Sequence, residues 1–283
     1  MTKVYLDGKW LNAGKASISI DNRSFRYGDG FFETIKCLHS KLPLWNYHER
    51  RLFATLEKLQ FEKPNWFNSD LIKDAILELV KQNEHGKLAR VRLTIFRGEG
   101  GIYDPINPRP HVLIQSWPLN PENNSLNENG LVIGDYTGGF KAADSFANLK
   151  SNNYLLYAMA ALHAKKEHWN DALLCNHKGS FCDATIANLW IIKNGQVITP
   201  PLSDGPVAGT MRNFLLENMK EAGFQVAEQS IAKQDLLESD EIFLSNAIYG
   251  IKWVKQYEDR MFSSDITTGI HAKLISRLWA STK

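Results

Sequence analysis

Lys150 and three polar residues, Ser151, Asn152 and Asn153, stand at the head of an aliphatic run. From Tyr154 the chain carries Leu155, Leu156, Ala158, Met159, Ala160, Ala161 and Leu162, which read as a helix bound for a core. A cation near a helix N-terminus opposes the macrodipole, so an amine there asks for an anionic neighbour. Asp183 raises the reverse question. It sits inside FCDATIANLWII, which reads as one strand of otherwise apolar or small residues. A carboxylate there must be paired, hydrogen-bonded or functional, because an unpaired buried charge is costly.

Further groups belong with these two. Arg51 lies in HERRL (48–52), on a helix that also buries Leu52; alone, it reads as surface charge. Pro206, Ala208 and Gly209 lead directly into a helix, leaving the amides of Thr210 and Met211 at its positive end, where phosphate binds readily. In chain order, Arg51, Lys150, Asp183 and the Gly209–Thr210 helix start are the parts required to hold pyridoxal phosphate. The lysine condenses with the aldehyde, the carboxylate keeps the ring nitrogen protonated, and the rest neutralise the phosphate.

Two glycine-rich segments carry less. RYGDGFFETIK (26–36) reads as a turn leading into a strand. RGEGG (97–101) is followed by Ile102-Tyr103-Asp104-Pro105 rather than a helix, so it is neither a dinucleotide fingerprint nor a P-loop. It reads as a substrate loop between two strands. The spacing of histidines and cysteines matches no metal motif, so no metal is expected. Cys37, Cys175 and Cys182 read as reduced small hydrophobes, although Cys175 and Cys182 flank a turn and could approach each other.

Elements must position these residues. KVYLDGKWLNA alternates around Asp7-Gly8 as a hairpin. Leu52, Leu56 and Leu59 mark one helix; a second starts at Ser69 as N-cap, buries Ile72, Ile76, Leu79 and Val80, and ends near Gly86. ARVRLTIF and HVLIQSW read as strands. Residues 118–130, PLNPENNSLNENG, break the pattern and read as a mobile interdomain loop. Beyond it come the strand LVIGDYT, the helix after Lys150, and a meander through DALLCN, FCDATIANLWIIK and QVITPP. A helix closed by Gly223, the strand DEIFLSNAI and a final helix complete the chain. The expected fold class is α+β, mixed α/β in texture, with a small domain over 1–117 and a larger cofactor-binding domain over 131–283.

The 283 residues carry a net charge of +2. That balance argues against a nucleic-acid binder, and the absence of an 18-residue apolar run argues against a membrane span. A cytoplasmic protein acting on a small-molecule amine is expected.

In order along nearly the whole chain, FRYGDGFFETIK, HERRL, RLTIFRGEGG, LKSNNYLLYA, GSFCDATIANLWIIKNGQVITPPL, GTMR and SDEIFLSNA resemble the fold-type IV pyridoxal-phosphate enzymes. These are the branched-chain aminotransferases, D-amino-acid aminotransferases and 4-amino-4-deoxychorismate lyases. The resemblance implies a homodimer whose larger domain is a pseudo-barrel. It implies Lys150 as Schiff-base lysine and general base, Arg51 at the phosphate with Gly209, Thr210 and Met211, and Asn246 and Ala247 of the SNA segment at the cofactor. Asp183 stands where the family usually has glutamate, one methylene longer. Tyr27, Phe32, Lys36, Arg97 and Tyr103 are the implied substrate-binding residues.

The Lys150-x-x-Asn153 spacing, RGEGG and SNA resemble the lyase branch; branched-chain enzymes tend to have one more residue before that asparagine. Ile102 stands where lyases usually have arginine, and the arginine-x-histidine of D-aminotransferases is missing. The leading expectation is a 4-amino-4-deoxychorismate lyase-like enzyme. The alternatives are a class IV aminotransferase acting on an L- or broad-range amino acid, and a non-catalytic cofactor-binding homologue.

Overall fold

A computed structural model of the chain describes residues 1–103 and 108–281; Asp104 and Pro105 of the expected substrate loop lie outside them. The described chain forms two compact units. The first is Met1–Pro121 together with Lys150–Asn153; the second is Glu122–Leu149 with Tyr154–Ser281.

In the first unit, β1 (Lys3–Leu6) and β2 (Lys9–Asn12) form the hairpin around Asp7 and Gly8, both at positive φ. With β3 (Gly30–Leu38), β4 (Leu88–Phe96) and β5 (His111–Pro118) they make an antiparallel sheet ordered β2-β1-β5-β4-β3. A short α1 (Arg23–Tyr27) precedes β3, capped at its start by Asn22 and closed by Gly28 at φ 69°. Two longer helices, α2 (Trp45–Lys58) and α3 (Ser69–Gln82), cover one face of the sheet.

Strand alternation decides what β3 presents to the helices. Phe31, Ile35 and Cys37 join a core with Leu52, Leu56, Ile76 and Leu79. Glu33 is the one charged residue of β3 in that inward series. The N-cap of α3 is Asn68 rather than the expected Ser69: its Oδ1 accepts the Leu71 amide at 2.9 Å, making Ser69 the first helical residue. The helix ends at Gln82, capped by Asn83, before the expected Gly86.

The second unit is built on one large sheet. Its strands are β6 (Leu131–Asp135), β7 (Asp171–Cys175), β8 (Phe181–Ala184), β9 (Asn188–Lys193), β10 (Gln196–Thr199), β11 (Gln225–Glu228), β12 (Glu241–Asn246), β13 (Gly250–Tyr257) and the small β14 (Arg260–Met261). The order runs β11-β10-β9-β12-β13-β6-β7-β8, and β8 pairs back onto β9 through Asp183 and Asn188. The strands from β9 round to β8 thus close on themselves, with β10, β11 and β14 outside the ring. That pairing turns an open sheet into a barrel. The expected single strand FCDATIANLWIIK is therefore two, separated by Thr185–Ala187. Asp171 fixes the break, because its Oδ1 accepts from the Thr185 amide and hydroxyl at 2.8 and 2.6 Å.

Helices α4 (Leu155–Lys166), α5 (Thr210–Asn218), α6 (Lys233–Glu238), α7 (Asp265–Ile270) and α8 (Ser276–Ala280) complete the second unit, with one π-helical stretch, His271–Ile275, joining the last two. Gly223, at φ 87°, falls after the end of α5 rather than at its cap. Tyr157, Ala160 and Ala164 of α4 are buried and Leu156 packs partly beside them, while Leu155, Met159 and Leu162 are exposed. A helix apolar from Leu155 through Leu162 carries no stripe there to choose its buried face, and the small alanines allow close approach to Ala172 and Leu174 of β7. The expected mobile loop at 118–130 is anchored: Asn127 donates to Trp253 O at 3.0 Å and accepts from Trp253 N at 3.0 Å. Among the described residues no helix is long and apolar enough to cross a membrane.

Candidate active site

Lys150 is not at the end of α4. Tyr154 caps that helix, and Lys150–Asn153 lie extended along the edge of β3 in the first unit. The Phe32 amide donates to Lys150 O at 3.0 Å and the Asn152 amide to Gly30 O at 2.9 Å, with Ser151 bridging Phe31. The backbone of the lysine is thus held as part of a sheet. Its Nζ lies 4.8 Å from the Phe32 ring centre, and the Arg92 guanidinium carbon lies 3.7 Å from the same ring. The polar residues after Lys150 pack onto the turn before β3. Asn152 Nδ2 donates to Ser24 Oγ at 2.8 Å, and Asn153 lies so close to Gly28 that a Cβ there would collide with it.

On the helix-facing side of β3, Glu33 is wholly buried and held from two positions on α2. Arg51 Nε donates to Oε1 at 2.7 Å and Nη2 to Oε2 at 2.5 Å, while His48 Nδ1 lies 2.6 Å from Oε2. Burial alone would push the Glu33 carboxyl up, but the charge and hydrogen bonds of Arg51, with those of His48, hold it down at about 2. Burial pushes the His48 imidazole below its ordinary range against the hydrogen bond and charge of Glu33, which push it up; the charges of Arg51 and Lys150 side with burial. A neutral ring donating from Nδ1 leaves Nε2 as an acceptor, buried and with no hydrogen-bond partner. Lys36 points from the other face of β3; burial pulls its amine down to about 7.

Asp183 sits at the seam of the barrel in the second unit, 2% exposed. Asn188 Nδ2 donates to Oδ1 at 2.8 Å; the Tyr157 hydroxyl and the Val207 amide donate to Oδ2 at 2.8 and 2.9 Å. Tyr157 stacks on Tyr154 with ring centres 4.3 Å apart, and burial followed by the Asp183 charge pushes its hydroxyl well above the ordinary tyrosine range. It is a fixed donor. Asn188 Nδ2 also bonds Val207 O at 2.8 Å, tying β9 to the segment that starts α5. Gly209 caps α5 without a side chain, and a Cβ at that position would strike Asn188 Oδ1. The first turn of α5, with Thr210 and Met211 buried, is therefore not capped by a side chain.

The remaining expected site residues are spread more widely. Asn246 Oδ1 accepts the Ile248 and Tyr249 amides at 2.9 and 3.1 Å, so its side chain shapes the turn that buries Ala247. Arg97 is drawn into a clasp. Its Nη1 donates to Asp29 Oδ1 at 2.9 Å and its Nη2 to the carbonyls of Leu59 and Gln60, while Arg23 Nε takes Asp29 Oδ2 at 2.8 Å. Arg23 also reaches Gly101 O, and its ring contact is Tyr27, which is 40% exposed. Tyr103 is almost fully exposed. Glu33, His48 and Tyr157 were not singled out from sequence. A charged residue in a strand's inward series was the available signal for Glu33; Tyr157 was hidden among apolar neighbours.

A family model, amino-transferase class IV, matches residues 30–257. The chain belongs to the class IV aminotransferase family. The enzymes of this family depend on pyridoxal phosphate, and so does this one. Each unit carries groups of the kind that cofactor uses: the first an arginine and a sheet-anchored lysine, the second a helix start with no side-chain cap and a buried carboxylate with fixed donors. An aminodeoxychorismate lyase of Vibrio harveyi is 29% identical over 245 residues, 86% of this chain and 88% of the relative. A D-alanine aminotransferase of Listeria innocua serovar 6a is 26% identical over 256 residues, 86% of this chain and 83% of the relative. The branched-chain aminotransferase structure from Thermoproteus uzoniensis superposes with a TM-score of 0.88 at 22% identity, covering 99% of this chain and 95% of that one. Its fold is the fold seen here.

Proposed function

We propose that this class IV enzyme is of the 4-amino-4-deoxychorismate lyase type, releasing pyruvate from its substrate to give 4-aminobenzoate. The observation that carries the reading is the short Lys150-x-x-Asn153 spacing, seated on the RYGDG turn by Asn152 and Asn153. An extra residue, as branched-chain enzymes tend to have, would have to be accommodated in this packed stretch. The Vibrio harveyi relative supports the same branch.

Pyridoxal phosphate, when bound, supplies an aldehyde for amine exchange and an electron sink. Arg51, oriented by Glu33, and the amides of Thr210 and Met211 behind Gly209 are proposed to bind the phosphate, with Asn246 and Ala247 beside them. Asp183 would hold the proton on the ring nitrogen, its own carboxylate kept in place by Tyr157, Asn188 and Val207. Lys150 Nζ takes the proton from the amine-bearing carbon of the substrate. With that proton gone, the enolpyruvyl group leaves, gains a proton on its methylene as pyruvate, and the ring becomes aromatic. Phe32 and Lys36 are proposed to line the substrate's place, with Tyr27 and Tyr103 nearby; Arg97 anchors the loop that carries Tyr103.

A second reading is amino-group transfer from an L- or broad-range amino acid, favoured by Ile102 in the place of the lyase arginine. Both need the same first proton removal by Lys150. The deciding experiment offers aminodeoxychorismate, and separately amino donors with 2-oxoglutarate. Equal amounts of 4-aminobenzoate and pyruvate without amino exchange support the lyase; exchange alone replaces it with the transferase. A homodimer is the proposed assembly, with Leu155, Met159 and Leu162 giving α4 an apolar outer face.

A further inference from the structure

Lys141 is buried, 7% exposed, and has no part in the roles assigned above. Its backbone amide donates to Cys175 O at 2.8 Å, so the residue is fixed against the end of β7. Its Nζ donates to Ala147 O at 2.6 Å, closing the loop that runs into Lys150 three residues later. The same ammonium lies 5.8 Å from the centre of the Tyr157 ring, at the outer reach of a cation–π contact. Tyr157 in turn donates to Asp183. One buried amine therefore touches the segment leading to the lysine and the ring that holds the carboxylate.

Charge gives this arrangement its purpose. Asp183 is a buried carboxylate, and the Tyr157 hydroxyl, the Asn188 amide group and the Val207 amide that donate to it are themselves neutral. A buried carboxylate without a nearby cation tends to take up a proton. The carboxylates of Asp183 and Asp144 favour the charged form of Lys141 against the burial that lowers it, and Cys182, whose thiol burial keeps protonated, is the other titratable group acting on it. Asp144 belongs to the same loop, and its Oδ1 accepts the Phe146 amide at 2.9 Å. The loop is tied onward to the start of α5: Asn148 Nδ2 donates to Pro206 O at 2.7 Å, and the Ala208 amide to Asn148 O at 3.0 Å.

We propose that Lys141 is a positioning residue of the cofactor site: a buried cation that keeps Asp183 ionised and clamps, through Ala147, the segment that presents Lys150. The role rests on the assignment of Asp183 to the ring nitrogen. Lys141 touches no substrate; it acts through Tyr157 and Ala147.

Lys141→Gln keeps a donor for Ala147 O and removes the charge, whereas Lys141→Arg keeps the charge. In the full-length protein, Lys141→Gln is expected to weaken pyridoxal phosphate binding about tenfold or more and to shift the pH midpoint of the bound cofactor's visible absorption; Lys141→Arg restores most of both. Without cofactor, denaturant unfolding of Lys141→Gln, Asp183→Asn and the double variant should be non-additive. The second change should cost at least about tenfold less in the unfolding constant once the first is made. Additive losses with an unshifted absorption midpoint, or equal losses in Lys141→Gln and Lys141→Arg, would overturn the proposal. If the wild type binds no pyridoxal phosphate, the cofactor reading falls, and the unfolding cycle alone then judges the Lys141–Asp183 coupling. If Lys141→Gln fails to fold, Lys141→Arg decides: wild-type affinity and midpoint support the charge, and their loss in a folded protein refutes it.

Discussion

Arg51 and Glu33 meet guanidinium to carboxylate, Nε to Oε1 at 2.7 Å and Nη2 to Oε2 at 2.5 Å, between α2 and β3. The pair fixes the arginine's plane before any ligand arrives, which is the use of bidentate geometry. It also stores acid sensitivity. The Glu33 carboxyl is held at about 2 in the folded protein against an ordinary 4.5. A depressed carboxyl contributes stability that is fully present above pH 4.5 and lost as pH falls toward 2, about 3 kcal/mol in all. Glu33→Gln should lower unfolding free energy at pH 7 by about 3–5 kcal/mol and flatten this acid limb, read by denaturant titration at several pH values. An unchanged acid limb would show that the loss arises elsewhere.

Lys36 predicts the opposite slope. Burial lowers its amine to about 7 from 10.5, so the folded state resists its charge. That penalty is full below pH 7 and shrinks as pH rises toward 10.5. Lys36→Met should therefore stabilise the protein at pH 6 by an amount on the order of a few kcal/mol, with the gain fading from about pH 7 and nearly gone by pH 10.5. Thermal unfolding across this range checks it.

Asp183 is surrounded by donors that suit only an acceptor. Asp183→Asn places an amide against the Tyr157, Asn188 or Val207 donors, and is expected to lower kcat by about 10²–10³ with weaker cofactor binding. Asp183→Glu adds a methylene at the barrel seam and should cost about 1–3 kcal/mol of stability, measured by denaturation.

The Arg97 clasp distinguishes an anchor from a substrate ligand. Arg97→Ala removes the bonds to Asp29, Leu59 O and Gln60 O and should destabilise the protein by about 2–3 kcal/mol. Asp29→Asn should lower stability in the same sense. A large rise in KM with unchanged stability would instead assign Arg97 to substrate.

Much of this was legible in the chain, for stated reasons. The Asp7-Gly8 hairpin and the helices of the first unit follow from turn chemistry and apolar periodicity. The strand break at Thr185–Ala187 did not, because it is imposed by Asp171, distant in sequence. Nor did the exposed face of α4, whose apolar run from Leu155 through Leu162 carries no directional signal. Lys150 drew notice as a cation misplaced at a helix end; its seat on β3 depends on backbone pairing that no local pattern announces. Asp183 was suspect for being charged in an apolar strand, yet its partners Tyr157 and Val207 come from other elements.

Lys36 and Lys141 are buried and Lys150 lies against the Phe32 ring, and only Lys150 is proposed to bond the cofactor. Borohydride reduction of the protein loaded with pyridoxal phosphate, followed by peptide mass mapping, tests this directly. The label is predicted on the peptide containing Lys150 and absent from Lys150→Ala. Label on Lys36 or Lys141, or labelling that survives in Lys150→Ala, would contradict Lys150 as the cofactor's lysine.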